Sequence, residues 1–176
     1  IHKGWDWCSG YHYSDSILIG FSHTHLSGTG CIDLGDILFR PSLQTPLAFS
    51  HSDEKASPGY YSVNLREAGV LAELTTTPHV GIHRYTYKKG IEATLVVDMD
   101  HLLDNEYIYE GWVKQTGENE LTGMRRTRGW VDNQYVFFVA QFSQPFSSME
   151  QPSERQAVLT FDTTTGKPIV CKVGVS

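Results

Sequence analysis

The sequence predicts an all-β chain, an antiparallel β-sandwich (supersandwich-like) of about ten to twelve strands. Three observations carry this. Short runs rich in Val, Ile, Thr and aromatic residues alternate apolar and polar positions with the period of a strand. Turn signals built on Gly, Pro and Asn separate the runs about every eight to twelve residues. No segment sustains the apolar period of a helix.

In order, residues 1–16 read as a loop leading into a short strand over Ile17–Phe21, extended on through His23 and His25. Ser27-Gly28-Thr29-Gly30 is a turn or bulge signal. Ile32 to Phe39 reads as a strand that ends at Arg40-Pro41, and residues 41–59, with Pro41, Pro46 and Pro58, read as a long connection. Tyr60 to Leu65 alternates, with Tyr61, Val63 and Leu65 on one face. Val70 to Thr77, Val80 to Tyr87 and Ile91 to Met99 read as a meander with short turns. Tyr107 to Val113 and Glu120 to Arg126 bracket a Thr-Gly-Glu-Asn turn, and Gln134 to Phe142 is the most strand-like run. Ala157 to Phe161 and Pro168 to Val175 flank Thr163–Gly166 as a final hairpin.

Composition sets bounds. A chain of 176 residues with 12% aromatic and 19% charged residues suits one folded domain. A net charge of -6 excludes a broad basic surface for nucleic acid, and the cluster Arg125, Arg126, Arg128 is too short to change that. No apolar run is long enough to span a membrane. Cys8, Cys31 and Cys171 have no CxxC spacing, which excludes a zinc ribbon and leaves buried or idle thiols, with one bridge open. The chain starts at Ile1 without Met and reads as cut from a longer protein.

Chemistry concentrates in Gly4 to Gly35, GWDWCSGYHYSDSILIGFSHTHLSGTGCIDLG. Glycines let backbone approach a ligand, and Trp5, Trp7 and Tyr11 offer flat apolar faces, so the stretch reads as ligand-facing. A tryptophan ring can stack on the C–H face of a sugar, and Trp5 is the candidate for that contact. Trp112 and Trp130 lie among ordinary strand and turn residues and read as core. His23 and His25, two apart, would share a face of a strand and could hold a metal in a cupin-type enzyme, although the glutamate that follows the cupin HxH is missing. Asp15, Asp33 and Asp36 are, by density alone, candidates for a catalytic carboxylate pair, but Asp beside Ser and Gly ordinarily satisfies turn amides.

Longer motifs carry a resemblance. GYHYSDSILIGFSHTHLSGTGCIDLGDILFRP resembles the signature of glycoside hydrolase family 92, the exo-acting α-mannosidases. HSDEKASPGYYSVNL, AELTTTPHVGIHRYTY, MRRTRGW with QYVFFVAQFSQPF, and KVGVS are similar to later blocks of that family, in order along nearly the whole chain. The resemblance implies the N-terminal β-sandwich (residues 1–176) of a two-domain enzyme, with a catalytic (α/α)6 barrel after residue 176. It implies a calcium-dependent, inverting α-mannosidase whose catalytic carboxylates and calcium ligands lie in the barrel, so this chain would contain no catalytic or metal residue. The implied partners are mannose-containing glycans and the C-terminal catalytic domain, and the implied location is periplasmic or secreted. Trp5, Asp15, His23 and His25 are carried over as substrate-binding residues, with Ser27 and Gly28 offering backbone to the same wall. Departures such as Leu38-Phe39-Arg40 bear on linkage preference. A stand-alone carbohydrate-binding sandwich is the competing class.

Overall fold

The computed structural model describes residues 11–25, 33–103 and 106–176. The strands are β1 Ile17–Leu18, β2 Leu38–Arg40, β3 Leu47–Ala48, β4 Glu54–Ser57, β5 Tyr60–Leu65, β6 Val70–Thr76 and β7 Val80–Tyr87. They continue as β8 Ala93–Asp98, β9 Tyr107–Gly117, β10 Glu120–Arg128, β11 Gln134–Phe142, β12 Ser148–Ser153, β13 Gln156–Phe161 and β14 Ile169–Val175. The only helical element among the described residues is a 3-10 turn at His51–Asp53. The all-β sandwich is thus observed.

An eight-stranded sheet runs β4-β5-β6-β7-β14-β11-β10-β9, a four-stranded sheet runs β12-β13-β8-β2, and β1 pairs with β3. Every recorded strand pairing is antiparallel. The core lies between the two large sheets. Val63, Leu65, Val70, Tyr85, Val113, Leu121, Phe138 and Cys171 come from the eight-stranded sheet, and Phe39, Leu95, Val97, Leu159 and Phe161 from the four-stranded one. Strand β11 shows the physical rule plainly. Val136, Phe138, Ala140 and Phe142 point inward, while Tyr135, Phe137 and Val139 stay 45–49% exposed on the outer face. Each inward phenylalanine contributes about 2–3 kcal/mol by leaving water. Opposite Phe138 stands Gly123, where a Cβ would lie 2.2 Å from the ring and 2.7 Å from the Trp112 carbonyl.

Two expected pairings are corrected. β13 and β14 are not a hairpin: β13 pairs with β12 and β8, whereas β14 inserts between β7 and β11 of the other sheet. The meander ends at β7 in the same way, because β8 crosses to the four-stranded sheet. Alternation tells which side chains face inward but not which strand lies alongside. The long connection at 41–59 holds β3, the 3-10 turn and the edge strand β4. β12 carries Pro152 and sits at a sheet edge with an irregular register, where a missing N–H costs no ladder bond. Cys171 is a free, fully buried core thiol, and burial pushes its pKa up. Cys8 and Cys31 lie outside the described residues.

Candidate functional site at one end of the sandwich

The antiparallel registers bring eight strand termini to one end of the large sheet. These are the starts of β5, β7, β9 and β11 and the ends of β4, β6, β10 and β14. Segments 21–25, 33–36 and 101–103 close over this end. Two clefts open there, one of about 420 Å³ and one of about 310 Å³. Phe21, Ser22, His25, Tyr61 and Leu74 line both. The larger adds Tyr60, Thr75 to Gly81 and His83, while the smaller adds Tyr11, His101 and Leu103.

His23 sits in the wall of the larger cleft. Its Nδ1–H donates to the Ile37 carbonyl at 2.8 Å, which fixes the neutral tautomer with a lone pair on Nε2. Its ring stacks on His83, 4.8 Å between centroids and 9° between planes, and meets Phe39 edge-on. His83 in turn shares a hydrogen bond of 2.6 Å between Nδ1 and the Tyr85 hydroxyl. Burial drives both imidazoles toward the neutral form, His23 down to about 4 and His83 well below its ordinary value. Gly81 makes the stack possible, since a Cβ there would come within 3.0 Å of His23 Cδ2. His23 Nε2 finds no hydrogen-bond partner among the described residues.

His25 does not act with His23. Its Nε2 bonds the Ser22 hydroxyl at 2.8 Å, and its side chain lies at the surface between the two clefts. Among the described residues no trio of His, Cys, Asp or Glu is placed to hold a metal. A hard cation such as calcium needs six to eight oxygens, and the buried carboxylates Asp36 and Glu106 are already occupied by Arg125, so the described residues do not fit calcium. Asp15 accepts the His12 N–H through Oδ2 at 3.2 Å, closing a turn, and lines neither cleft. Trp5, Ser27 and Gly28 lie outside the described residues.

A buried ionic hub fastens the loops. Arg125, fully buried, lies 3.1 Å from Asp36 Oδ1 and 3.4 Å from Glu106 Oε2, and donates to the His101 carbonyl. Asp36 Oδ2 accepts from the Thr24 hydroxyl at 2.7 Å, and Glu106 Oε1 accepts the Leu34 N–H at 2.8 Å. Asp33 Oδ2 takes the Trp130 N–H at 2.8 Å. One charged cluster therefore ties segments 21–25, 33–36 and 129–134, with His101 and Glu106, to β10. Between its anchors the chain holds positive φ at Leu34 (71°), Gly35 (84°) and Ile37 (58°). Left-handed backbone at a buried, β-branched residue is strained and persists only where surroundings over-determine it. Ile37 is also the residue whose carbonyl orients His23.

On the far side, Tyr61 and Tyr11 donate to Glu54, at 2.5 Å and 3.3 Å, and Glu54 also pairs with His51. Tyr13 stacks on His51 at 4.3 Å. The charged clump expected to be connecting loop is thus the anchor for the first described segment. Sequence reasoning also missed Gly81 and His83, although the two fall two apart on β7 and so share a face, which is a legible signal. It placed Trp130 and Trp112 in the core. Trp130 is 72% exposed on the β10–β11 turn, and Trp112 lies half-buried on the outer face under Lys114. Arg125 is buried, unlike Arg126 and Arg128, because it shares the inward face of β10 with Leu121, Gly123 and Thr127.

The profile of the glycosyl hydrolase family 92 N-terminal domain matches residues 1–176. Among solved structures, a family GH92 alpha-mannosidase from Bacteroides thetaiotaomicron is 31% identical with a TM-score of 0.88, covering 99% of this chain and 28% of that one. Its complex with mannoimidazole aligns equally well. The GH92 family glycosyl hydrolase ccman5 is 27% identical with a TM-score of 0.80, covering 96% of this chain and 27% of that one. No curated protein matches. The chain spans little more than a quarter of the length of these solved relatives, and it belongs to glycosyl hydrolase family 92 as its N-terminal domain.

Proposed function

We propose that this chain is the non-catalytic N-terminal domain of a calcium-dependent, inverting exo-α-mannosidase. In this reading it completes the substrate pocket against a catalytic barrel that follows residue 176. The observation that carries the reading is the strained, hub-fastened loop end with its two clefts, to both of which the motif stretch contributes Phe21, Ser22 and His25. Inversion needs a general acid and a general base set about 6.5–9.5 Å apart, both supplied by the barrel. Calcium, also held by the barrel, would hold sugar hydroxyls. The work of this chain is orientation and exclusion of water.

Trp5 stacks on a sugar ring in this proposal. His23 and His25 form the wall, with Ser27 and Gly28 offering backbone and Asp15 setting the turn that leads into it. His23, neutral above about pH 4, contributes shape and an acceptor and no charge. The protein works on terminal α-linked mannose of glycans, outside the cytoplasm, in the periplasm or as a secreted enzyme. The test is mannose release from α-linked mannobioses by the longer protein of the natural gene, with calcium and with a chelator. Release abolished by the chelator is the expected result, with none from the 176-residue chain. Turnover by the 176-residue chain itself would overturn the non-catalytic assignment. Mannoside affinity of this chain alone would favour the stand-alone binding module.

A further inference from the structure

Beside the clefts, at the same end of the large sheet, lies a surface that the site does not use. Tyr107, Tyr109, Trp130, Tyr135 and Phe137 are 62%, 43%, 72%, 45% and 49% exposed. Arg126 runs between the rings of Tyr109 and Tyr135, 4.9 Å and 5.3 Å from their centroids, and its Nε donates to Asn133 Oδ1 at 2.7 Å. Tyr107 meets Tyr109 edge-on at 5.2 Å, and Tyr135 stacks with Phe137 at 6.3 Å. Trp130 stands on the turn just beyond, its backbone held by Asp33.

We propose that this aromatic–arginine surface is the seat of the catalytic domain carried by the rest of the polypeptide. The assignment rests on the reading above that such a domain follows residue 176. Three features favour that occupant. Aromatic residues and Arg are the types that concentrate binding energy at protein interfaces. The side chains are already ordered by one another, so docking costs little entropy. The backbone of Ser176 pairs with Phe137 in both directions, at 3.0 and 2.9 Å, so chain continuing from Ser176 emerges beside the patch. The solved relatives, of which this chain covers 27–28%, carry ample further polypeptide. A tethered partner meets its seat at high effective concentration. A saccharide platform is less well served, because Glu110, a carboxylate beside these rings, is paired with Arg126 at 3.9 Å.

The test is hydroxyl-radical footprinting of the longer natural protein, read by mass spectrometry, with and without α-mannobiose and at two protein concentrations. Tyr107, Trp130, Tyr135 and Phe137 are expected to react about tenfold more slowly than their exposure here implies, since water is excluded from an interface centre. Leu43, 55% exposed elsewhere, should react in full. A Trp130→Ala, Phe137→Ser variant changes only surface side chains and should restore labelling of Tyr107 and Tyr135. Full labelling of the four aromatics overturns the proposal. So does protection that appears only with the disaccharide, which assigns a saccharide surface, or only at high concentration, which assigns a second copy. Mannose release by the same sample separates the two readings. Release without protection overturns this seat alone, and absence of release overturns the function it rests on.

Discussion

Replacing Arg125 with methionine keeps much of the volume of a fully buried side chain and removes its charge. Asp36, fully buried, then keeps the Thr24 hydroxyl and loses the guanidinium at 3.1 Å. Glu106, 2% exposed, loses the cation that favours its ionised form and takes up a proton, so the stranded charge is that of Asp36. Removing one partner of a buried ionic cluster costs about 3–5 kcal/mol, because the remaining charge stays desolvated. That is a fifth or more of the roughly 5–15 kcal/mol that stabilises a domain. With a urea dependence of about 2 kcal/mol per molar, the midpoint of unfolding should fall by about 2 M. Equilibrium urea unfolding of the 176-residue chain at pH 7, followed by tryptophan fluorescence, measures it. The triple variant Arg125→Met, Asp36→Asn, Glu106→Gln removes the stranded charge and should recover more than half of the loss. A midpoint shift below about 0.5 M for Arg125→Met would refute the view that this hub fastens the loop end.

Two further outcomes follow from single positions. Burial lifts Glu106 to about 7 against the opposing pull of Arg125, so its ionisation is disfavoured in the folded chain. The stability that its neutral form supplies is full below about pH 4.5 and is lost as pH rises through about 7, roughly 3 kcal/mol in all. His23 and His83 push the other way, but they cancel in the difference between parent and Glu106→Gln. That difference should change across pH 4.5 to 7 in thermal or urea unfolding, and parallel pH profiles would contradict it. Gly123→Ala places a Cβ 2.2 Å from Phe138 and should lower stability by about 1–3 kcal/mol, read as a fall in Tm. An unchanged Tm would mean that the two sheets yield more easily than close packing allows.

Local pattern alone was enough for some elements. Tyr60–Leu65, Val80–Tyr87 and Gln134–Phe142 are observed with the limits the alternation indicates, because a strand with one face in the core must repeat every second residue. The Gly10–Pro41 motif and the later blocks together placed the family, and the comparisons agree. Of the motif's expected contact residues, His23 and His25 line the larger cleft and Asp15 lines neither. What local pattern does not carry is the partner across space. β13 and β14 look like a hairpin because each alternates well, yet long-range burial sends them to different sheets. Arg125, Arg126 and Arg128 look alike in sequence. Only the packing of segment 33–36, His101 and Glu106 against β10 buries the first, while two tyrosine rings hold the second. His83 becomes part of the site because Gly81 lets a distant histidine stack upon it. Trp130 escapes the core because its turn projects beyond the sheet. Periodicity is a property of one strand and its own two faces. Pairing, charge burial and ring stacking belong to residues far apart in sequence, so tertiary structure decided them.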